Sequence, residues 1–491
     1  MAVQSQAWAL SGGLDLISPA LQMPPGKAIL AQNYECAMTG GYRRIDGYTI
    51  YDGRSNGTHL AVTGSGPIRG VWEYNNVVYA FRNNAGGSAC VMHKSTSSGW
   101  AVVSTPTLSP NGNFEFINHN FTGHSGSLKM FGCDGINKAF QFNGTTLSFL
   151  TTGMTTDTPS HIGVHKNHLF LSFTGGSVQH SGVGNPASWN LVTGAGEIGI
   201  GTEVTGFSSM KGDSLAITGR NQISILYGAS ASDWNLKLFS PAIGAVARTN
   251  GQMDSDLYFF NGDDLSSLTA TQAFGDFESA SVSAVVKPFI DARKSNTVGA
   301  TVNRDKNQYR LFFDDKSVLV GTIINRQVVG FTTWRLEHTP SFITEKYMGC
   351  TDGSVMYMDN GVSFNGTAIQ SYLRLPFTSF NTPHRKKRFR KATLELEAGS
   401  QATLDYLADY DYGSGGSSSG AQATVYGGGG FWDVANWNNF VWSSAVVASA
   451  EAYLNGSGMN ISLLIVHSSA TDPAFTLQGV QLNYSLRGLN R

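Results

Sequence analysis

Seven segments of this chain share one pattern, a polar turn pair followed by a short alternating strand. They are YNNVVYAF (74–81), HSGSLKMF (124–131), HKNHLFLSF (165–173), KGDSLAIT (211–218), MDSDLYFF (253–260), DKNQYRLFF (305–313) and TDGSVMYM (351–358). With Tyr79, Leu128, Leu169, Leu215, Leu257, Tyr309 and Val355 as beats, the steps are 49, 41, 46, 42, 52 and 46 residues. A period of roughly 40–50 residues holding about four short strands is the sequence sign of a β-propeller. Radial closure also removes most of the exposed strand edges that an open sheet would carry. After about residue 365 the rhythm stops, and alternating runs such as ATLELEAG and NISLLIVHS continue without it. The expected fold is therefore all-β: a propeller of six or seven blades over 61–365 and a second β-rich platform or sandwich over 366–491. Residues 1–60 read as a lead-in that closes or wraps the propeller, and a Gly/Ser segment at 413–420 reads as a mobile loop within the second unit.

Composition agrees with short strands and tight turns. Only 14% of the 491 residues are charged, against roughly 25% in an ordinary soluble domain, while Gly reaches 58 and Pro only 14. A net charge of −1 argues against a nucleic-acid grip spread over the whole surface. Cys36, Cys90, Cys133 and Cys350 stand far apart with no C-x-x-C pair, so they are expected to be reduced and buried. The opening MAVQSQAWAL has no cationic region followed by an apolar one, and no run reaches the ~20 apolar residues of a membrane helix. Synthesis in a reducing compartment and no membrane-spanning segment are expected.

Candidate sites for chemistry are few. HIGVHKNHLF (161–170) places His161, His165 and His168 close together. On a strand 161 and 165 agree in parity and 168 does not, so the three are expected not to share a face and to bind no metal, with HKNH as a solvated turn. Asp263-Asp264 and Asp314-Asp315 lie at turn positions, where Asp bends chain, and are not read as a glycosidase pair. Asp409, Asp411 and Gly413 start a calcium-loop pattern that stops after two carboxylates. No G-x-S-x-G elbow or phosphate-cradling loop is present. Trp432, Trp437, Phe440 and Trp442 read as packing residues of the second unit, with contact to a needle or a neighbouring subunit as the other reading.

The segment HKNHLFLSFTGGSVQHSGVGNPASWN (165–190) resembles, in order and spacing, the signature of the nozzle proteins of short-tailed bacteriophages, also called tail tubular protein B or tail stabilisation proteins. GGLDLISPALQMPPGKAILAQNYECAMTGGYRRIDGY (12–48), GTEVTGFSSMKGDSLAITGRNQISILYG (201–228), MGCTDGSVMYMDNGVSFNGTAIQSYLRLPF (348–377) and the C-terminal YSLRGLNR extend the likeness over nearly the whole chain. The resemblance implies a structural virion protein of the tail, assembled in the bacterial cytoplasm. Six copies would form a ring below the portal and adaptor rings, a tube through which double-stranded DNA leaves. It further implies no catalysis and no cofactor. The implied partners are the adaptor or head-to-tail connector ring, a needle or plug, and tail fibres or spikes.

The strongest charge cluster is PHRKKRFRK, with Arg385, Lys386, Lys387, Arg388, Arg390 and Lys391. Three readings compete: an intersubunit or adaptor-facing surface that pairs with acidic residues, a charged edge strand protected against aggregation, and contact with DNA phosphates. The first is preferred, because many phosphate contacts would grip a cargo that must slide. A rival of another class is an extracellular propeller that binds or hydrolyses glycans, which would need a pocket with convergent carboxylates and aromatics.

Overall fold

The computed structural model describes residues 3–489 apart from 11, 20–21, 211, 254–255, 271–276, 399–401, 414–417 and 426–446. The turn pairs do what the sequence asks of them. Asn75 and Asn76 have φ of 48° and 61°, Lys166 and Asn167 have 46° and 61°, and Asn325 and Arg326 have 51° and 65°. Two left-handed residues in a row make the hairpin turn whose twist matches the strands it joins, and Asn accepts that conformation more readily than most side chains. The strands after three of the turns, His168–Phe173, Ser214–Gly219 and Gln308–Phe313, are buried along their whole length. Alternation in their sequence therefore does not mark one wet face. Each lies inside a blade that is covered on both sides.

Seven such blades are formed by the described residues. Their innermost strands are Ser65–Tyr74, Glu115–His119, His161–His165, Val204–Met210, Gly251–Met253, Thr297–Asn303 and Pro340–Ile343. Each packs beside the next, and the last returns to the first, so the ring is closed. The protein is thus an all-β molecule built on a seven-bladed β-propeller; the one α-helix among the described residues, Lys287–Asp291, lies between the fifth and sixth blades. Closure uses the N-terminal segment: Tyr48–Ile50 is the outermost strand of the seventh blade, paired antiparallel with Val355–Met358. Gly47 is needed for that approach, since a Cβ there would lie 2.0 Å from the carbonyl oxygen of Ser363. Six of the seven sequence beats fall on or one residue before the second strand of their blade. Val355 falls on the third strand of the seventh, whose second strand is Tyr347–Cys350.

The rest of the lead-in goes elsewhere. Leu30–Gln32 runs parallel to Gln327–Arg335, the outer strand of the sixth blade, and antiparallel to Ile369–Arg374. Through it that blade continues into Ile461–Ser469, Ala402–Tyr410 and Ser418–Val425 as a single nine-stranded sheet. A second sheet holds Tyr34–Cys36, Tyr42–Arg44, Phe475–Leu489, Arg385–Ala398 and Val447–Gly458, with Gln4–Ala9 paired to Phe475–Leu489. These two sheets form a sandwich whose inner faces meet at Phe389 and Tyr410, stacked with ring centroids 5.5 Å apart. One apolar cluster runs from Tyr258, Phe313 and Phe331 in the propeller to Leu394, Tyr406, Ile465 and Leu482 in the sandwich. Residues from both sides of the boundary expected at 365/366 therefore share a core and a sheet. Ser418–Val425 is an edge strand whose first three residues fall within the 413–420 segment read as a mobile Gly/Ser loop.

A charged network sits where sixth blade, seventh blade and lead-in meet. Arg310, with 1% of its side chain exposed, reaches Asp359 at 2.6 and 3.0 Å, and its guanidinium lies 4.5 Å from the Trp334 ring centre. Lys306 reaches Asp46 at 2.8 Å, Asp359 at 2.9 Å and Glu35 at 3.2 Å, and Arg43 bridges Glu35 and Asp46. Burial by itself would raise the Asp359 carboxyl. The Arg310 and Lys306 charges outweigh it and hold that carboxyl well below the usual range. All four cysteines are buried and unpaired.

Candidate functional site

The basic cluster opens the fourteen-residue strand Arg385–Ala398. Its six cations do not act together. Lys387 points into the sandwich and is fully buried, with Nζ donating to the carbonyls of Thr382, Arg385 and Met459 at 2.7, 3.0 and 2.9 Å. Burial, helped by the neighbouring Arg385, pushes its ammonium down to about 8. Lys391 is paired with Glu451 at 2.6 Å. Arg385 and Lys386 are half-buried, while Arg388 and Arg390 are exposed and no ion pair is found for either among the described residues. The split has a local cause. The ladder slips between Phe389 and Lys391, so buried positions fall at 387 and 389 before Arg390 and at 392, 394, 396 and 398 after it. One extra residue in a strand flips the parity of everything beyond it. Tyr453, 78% exposed, stands opposite Lys391, and Arg487 is exposed on the other neighbouring strand.

The three histidines of the signature are all buried, at 6, 7 and 1% exposure, so the expected solvated turn shrinks to Lys166 and Asn167. The parity argument fails because the chain reverses at that turn. His165 lies directly opposite His168 in the ladder, which puts both on one face. There they meet His180 around the Trp234 ring, with ring centroids 5.4 to 5.9 Å from it. His168 Nδ1 donates to the Ser181 carbonyl at 2.6 Å, and Trp234 Nε1 donates to His180 Nε2 at 3.1 Å. Burial lowers the pKa of His165 and His180, which favours neutral rings. Among the described residues no group of three His, Cys, Asp or Glu could hold a metal ion. The cluster packs the third blade on the fourth.

Other sequence candidates have structural tasks. Asp263 pairs with Lys294 at 2.5 Å, Asp264 with Lys287 at 3.4 Å and Asp315 with Arg293 at 2.9 Å. Asp409 is paired with Arg374, and Asp411 accepts from the Met459 amide at 2.6 Å. Trp432, Trp437, Phe440 and Trp442 lie outside the described residues.

The concave site of the molecule is on the propeller axis, where every blade contributes to one cavity of about 220 Å³. Trp72, Phe116, Phe207 and Phe342 supply much of its wall. Inside it Glu115 Oε1 lies 2.7 Å from His161 Nδ1 and 3.7 Å from Arg248 Nε. Burial would raise the Glu115 carboxyl, but His161 and then Arg248 outweigh it and leave its pKa lowered. A second cavity of about 380 Å³ continues from it past Trp72, Asn250 and Ala300, toward ion pairs Arg304–Glu345 at 3.2 Å and Lys346–Glu73 at 3.4 Å. Sequence reading missed this site. Its lining is one to four residues from each of the seven blades, on or just beside the innermost strands and spread from Trp72 to Thr344, and no local motif connects them. The only pointer was His161, and it was read with its sequence neighbours instead of with Glu115.

No family model and no curated protein matches the chain. Solved structures similar to it are propellers. Virginiamycin B lyase from Staphylococcus aureus is 10% identical over 61% of this chain and 97% of that one, with a TM-score of 0.43. BamB from Moraxella catarrhalis is 9% identical over 72% and 97%, with a TM-score of 0.38. The RRP9 WD40 repeats are 10% identical over 63% and 99%, with a TM-score of 0.41. These likenesses concern the fold alone and carry nothing about activity. No helix among the described residues is long and apolar enough to cross a membrane.

Proposed function

We propose that the protein is a structural protomer of a ring, the nozzle of a short-tailed phage, through which double-stranded DNA is ejected and to which adaptor and appendages attach. The observation that carries this reading is the outer face of Arg385–Ala398. Exposed Arg388, Arg390 and Tyr453 lie together there, and among the described residues neither arginine has a partner of opposite charge. Arg and Tyr are enriched at protein interfaces, and charged rims set partner choice and association rate. The sheet that bears them is packed on the propeller through a shared core. An axial cavity of about 220 Å³ has no room for a duplex, so in this reading DNA runs between copies and not through one. The double reversal Arg388→Glu with Arg390→Glu is expected to leave the unfolding free energy within about 0.5 kcal/mol of wild type, as for exposed sites. Tail attachment should be lost in the same variant. Normal tails in electron micrographs of phage carrying it would refute the interface, and immunogold label away from the tail vertex would refute the location.

A second reading is favoured by the axial cavity: an extracellular propeller that binds glycans. Aromatic walls and a few polar groups suit a sugar. Hydrolysis is not supported, because Glu115 is the one carboxylate among the residues lining the cavity and glycosidases work with a pair.

A further inference from the structure

Two surface features far apart on this chain complement each other. The first is an apolar knob in the loop between the last two strands of the third blade. Leu191 and Val192 are 80% and 90% exposed, the most open of the large apolar side chains among the described residues. They sit on a single 3-10 turn, Leu191–Thr193, whose ends are tied. Asn190 Oδ1 accepts from the Val192 amide at 3.0 Å, and Thr193 Oγ1 donates to the Asn190 carbonyl at 2.7 Å. The Gly194 amide, at a left-handed φ of 83°, donates to the Leu191 carbonyl at 3.1 Å. A turn fixed in this way holds its two side chains out in water and has little ordering left to lose on contact. The second feature is a groove of about 260 Å³ on the sandwich, between Gln4–Ala9, the turn at 23–26 and the segment 375–381. Trp8, Pro25, Pro376, Phe377 and Phe380 form its apolar wall, Pro25 exposed and the others half-buried, so their surfaces can be reached. Tyr412, 53% exposed, extends the wall with its ring 5.0 Å from that of Phe377.

Charge follows the same division. No Lys or Arg occurs from 167 to 210, and exposed Glu197, just past the knob, meets only the Ser177 hydroxyl. No Asp or Glu occurs from 375 to 394, and Arg385 and Lys386, where the groove segment leads into its strand, have no ion pair among the described residues. Knob and groove cannot meet within one copy. The knob is on the third blade, and the groove is on the sandwich that continues from the sixth, three blades of seven further round. Two unlike patches that fit each other from distant sides of a subunit make a head-to-tail contact, which closes into a ring where the rotation allows. A self-complementary patch would stop at a dimer. We propose that the groove docks a second copy of this chain, taking that copy's Leu191–Val192 turn between Trp8, Phe377 and Phe380, with its Glu197 on the side of Arg385 and Lys386. This rests on the ring reading above and supplies the contact that repeats around the ring.

The test is cross-linking of the full chain through engineered cysteines, which is selective because all four native cysteines are buried. Val192→Cys and Ser379→Cys are purified separately and treated with a short bis-maleimide, each alone and then mixed. A head-to-tail contact gives a dimer band in the mixture only. A band in Val192→Cys alone would show a two-fold contact and overturn the proposal. Sedimentation gives the second readout. Leu191→Asp with Val192→Asp should raise the concentration of half-association about a hundredfold, since two apolar side chains lose their burial. Its melting temperature should match wild type, as for exposed sites. Association unchanged in that variant overturns the contact, and so does a wild-type chain that stays monomeric to its solubility limit with no mixed band. Loss of phage tails in the double variant without a mixed band would mean that the turn meets a different virion protein, which also overturns it. Immunogold labelling of phage keeps the two ideas apart. A mixed band with no label at the tail vertex keeps the contact and removes the nozzle, whereas label at the vertex with rings indifferent to the double variant does the reverse.

Discussion

Replacing Asp359 with alanine is expected to destabilise the protein by about 3–5 kcal/mol, because it takes the paired carboxylate from the buried Arg310, while Lys306 keeps Glu35 and Asp46. The comparison variant is Lys391→Met. Its pair with Glu451 has the same 2.6 Å length as Arg310–Asp359, yet the Glu451 side chain is 47% exposed, and the loss should stay below about 1 kcal/mol. Urea midpoints of the two variants measure the difference, and equal midpoints would show that burial does not decide it. The same network sets an acid limit. For Asp46, as for Asp359, burial opposes ionisation and the facing cations outweigh it, so both carboxyls hold their protons less tightly folded than unfolded. The unfolded chain then takes up protons first. Stability is complete above the ordinary carboxylate range near pH ~4 and falls as the pH drops below it toward the folded values. In Asp359→Ala the slope of stability between about pH 4 and pH 2 should be shallower than in wild type.

Tyr48→Ala is expected to cost about 3–5 kcal/mol, the range for truncating a large buried side chain, and to loosen the seventh blade before the others. Tyr48 is 1% exposed and stacks on Phe364 with centroids 4.7 Å apart. Its hydroxyl accepts from the Glu337 amide at 3.0 Å, so truncation also strips a partner from that amide. Hydrogen exchange should show the loss as faster exchange in Val355–Met358, the strand that Tyr48–Ile50 covers, with Ser214–Gly219 on the far side unchanged. Uniform acceleration across all blades would mean that the ring opens only by global unfolding.

The propeller was legible in the sequence because its turns are local. Asn75-Asn76 and Lys166-Asn167 announce their hairpins with two residues each, and the spacing of such pairs counts the blades. What the sequence hid depends on residues that meet from far away or on a ladder that slips. Lys387 and Arg388 look alike in HRKKRFRK, and only the bulge at Arg390 and the ladder on either side of it tell which one is buried. His165 and His168 differ in parity along the chain but face each other across the turn. The pairing of Glu115 with His161 joins two blades, and nothing in either segment points to the other.

The N-terminal strands have a consequence in time as well as in space. Thr49 pairs with Tyr357, and Arg43 pairs with Thr476, so these residues leave the ribosome 357 − 49 = 308 and 476 − 43 = 433 positions ahead of their partners. At roughly 5–20 residues per second, that is a wait of roughly 15–60 s for the first pairing and 20–90 s for the second. Blades one to five can form while the lead-in strands are still unpaired, and Trp8, Tyr34 and Tyr42 stay without their final neighbours through that interval. Synthesis rate and chaperone supply, more than the stability of any blade, should therefore govern the yield of soluble protein.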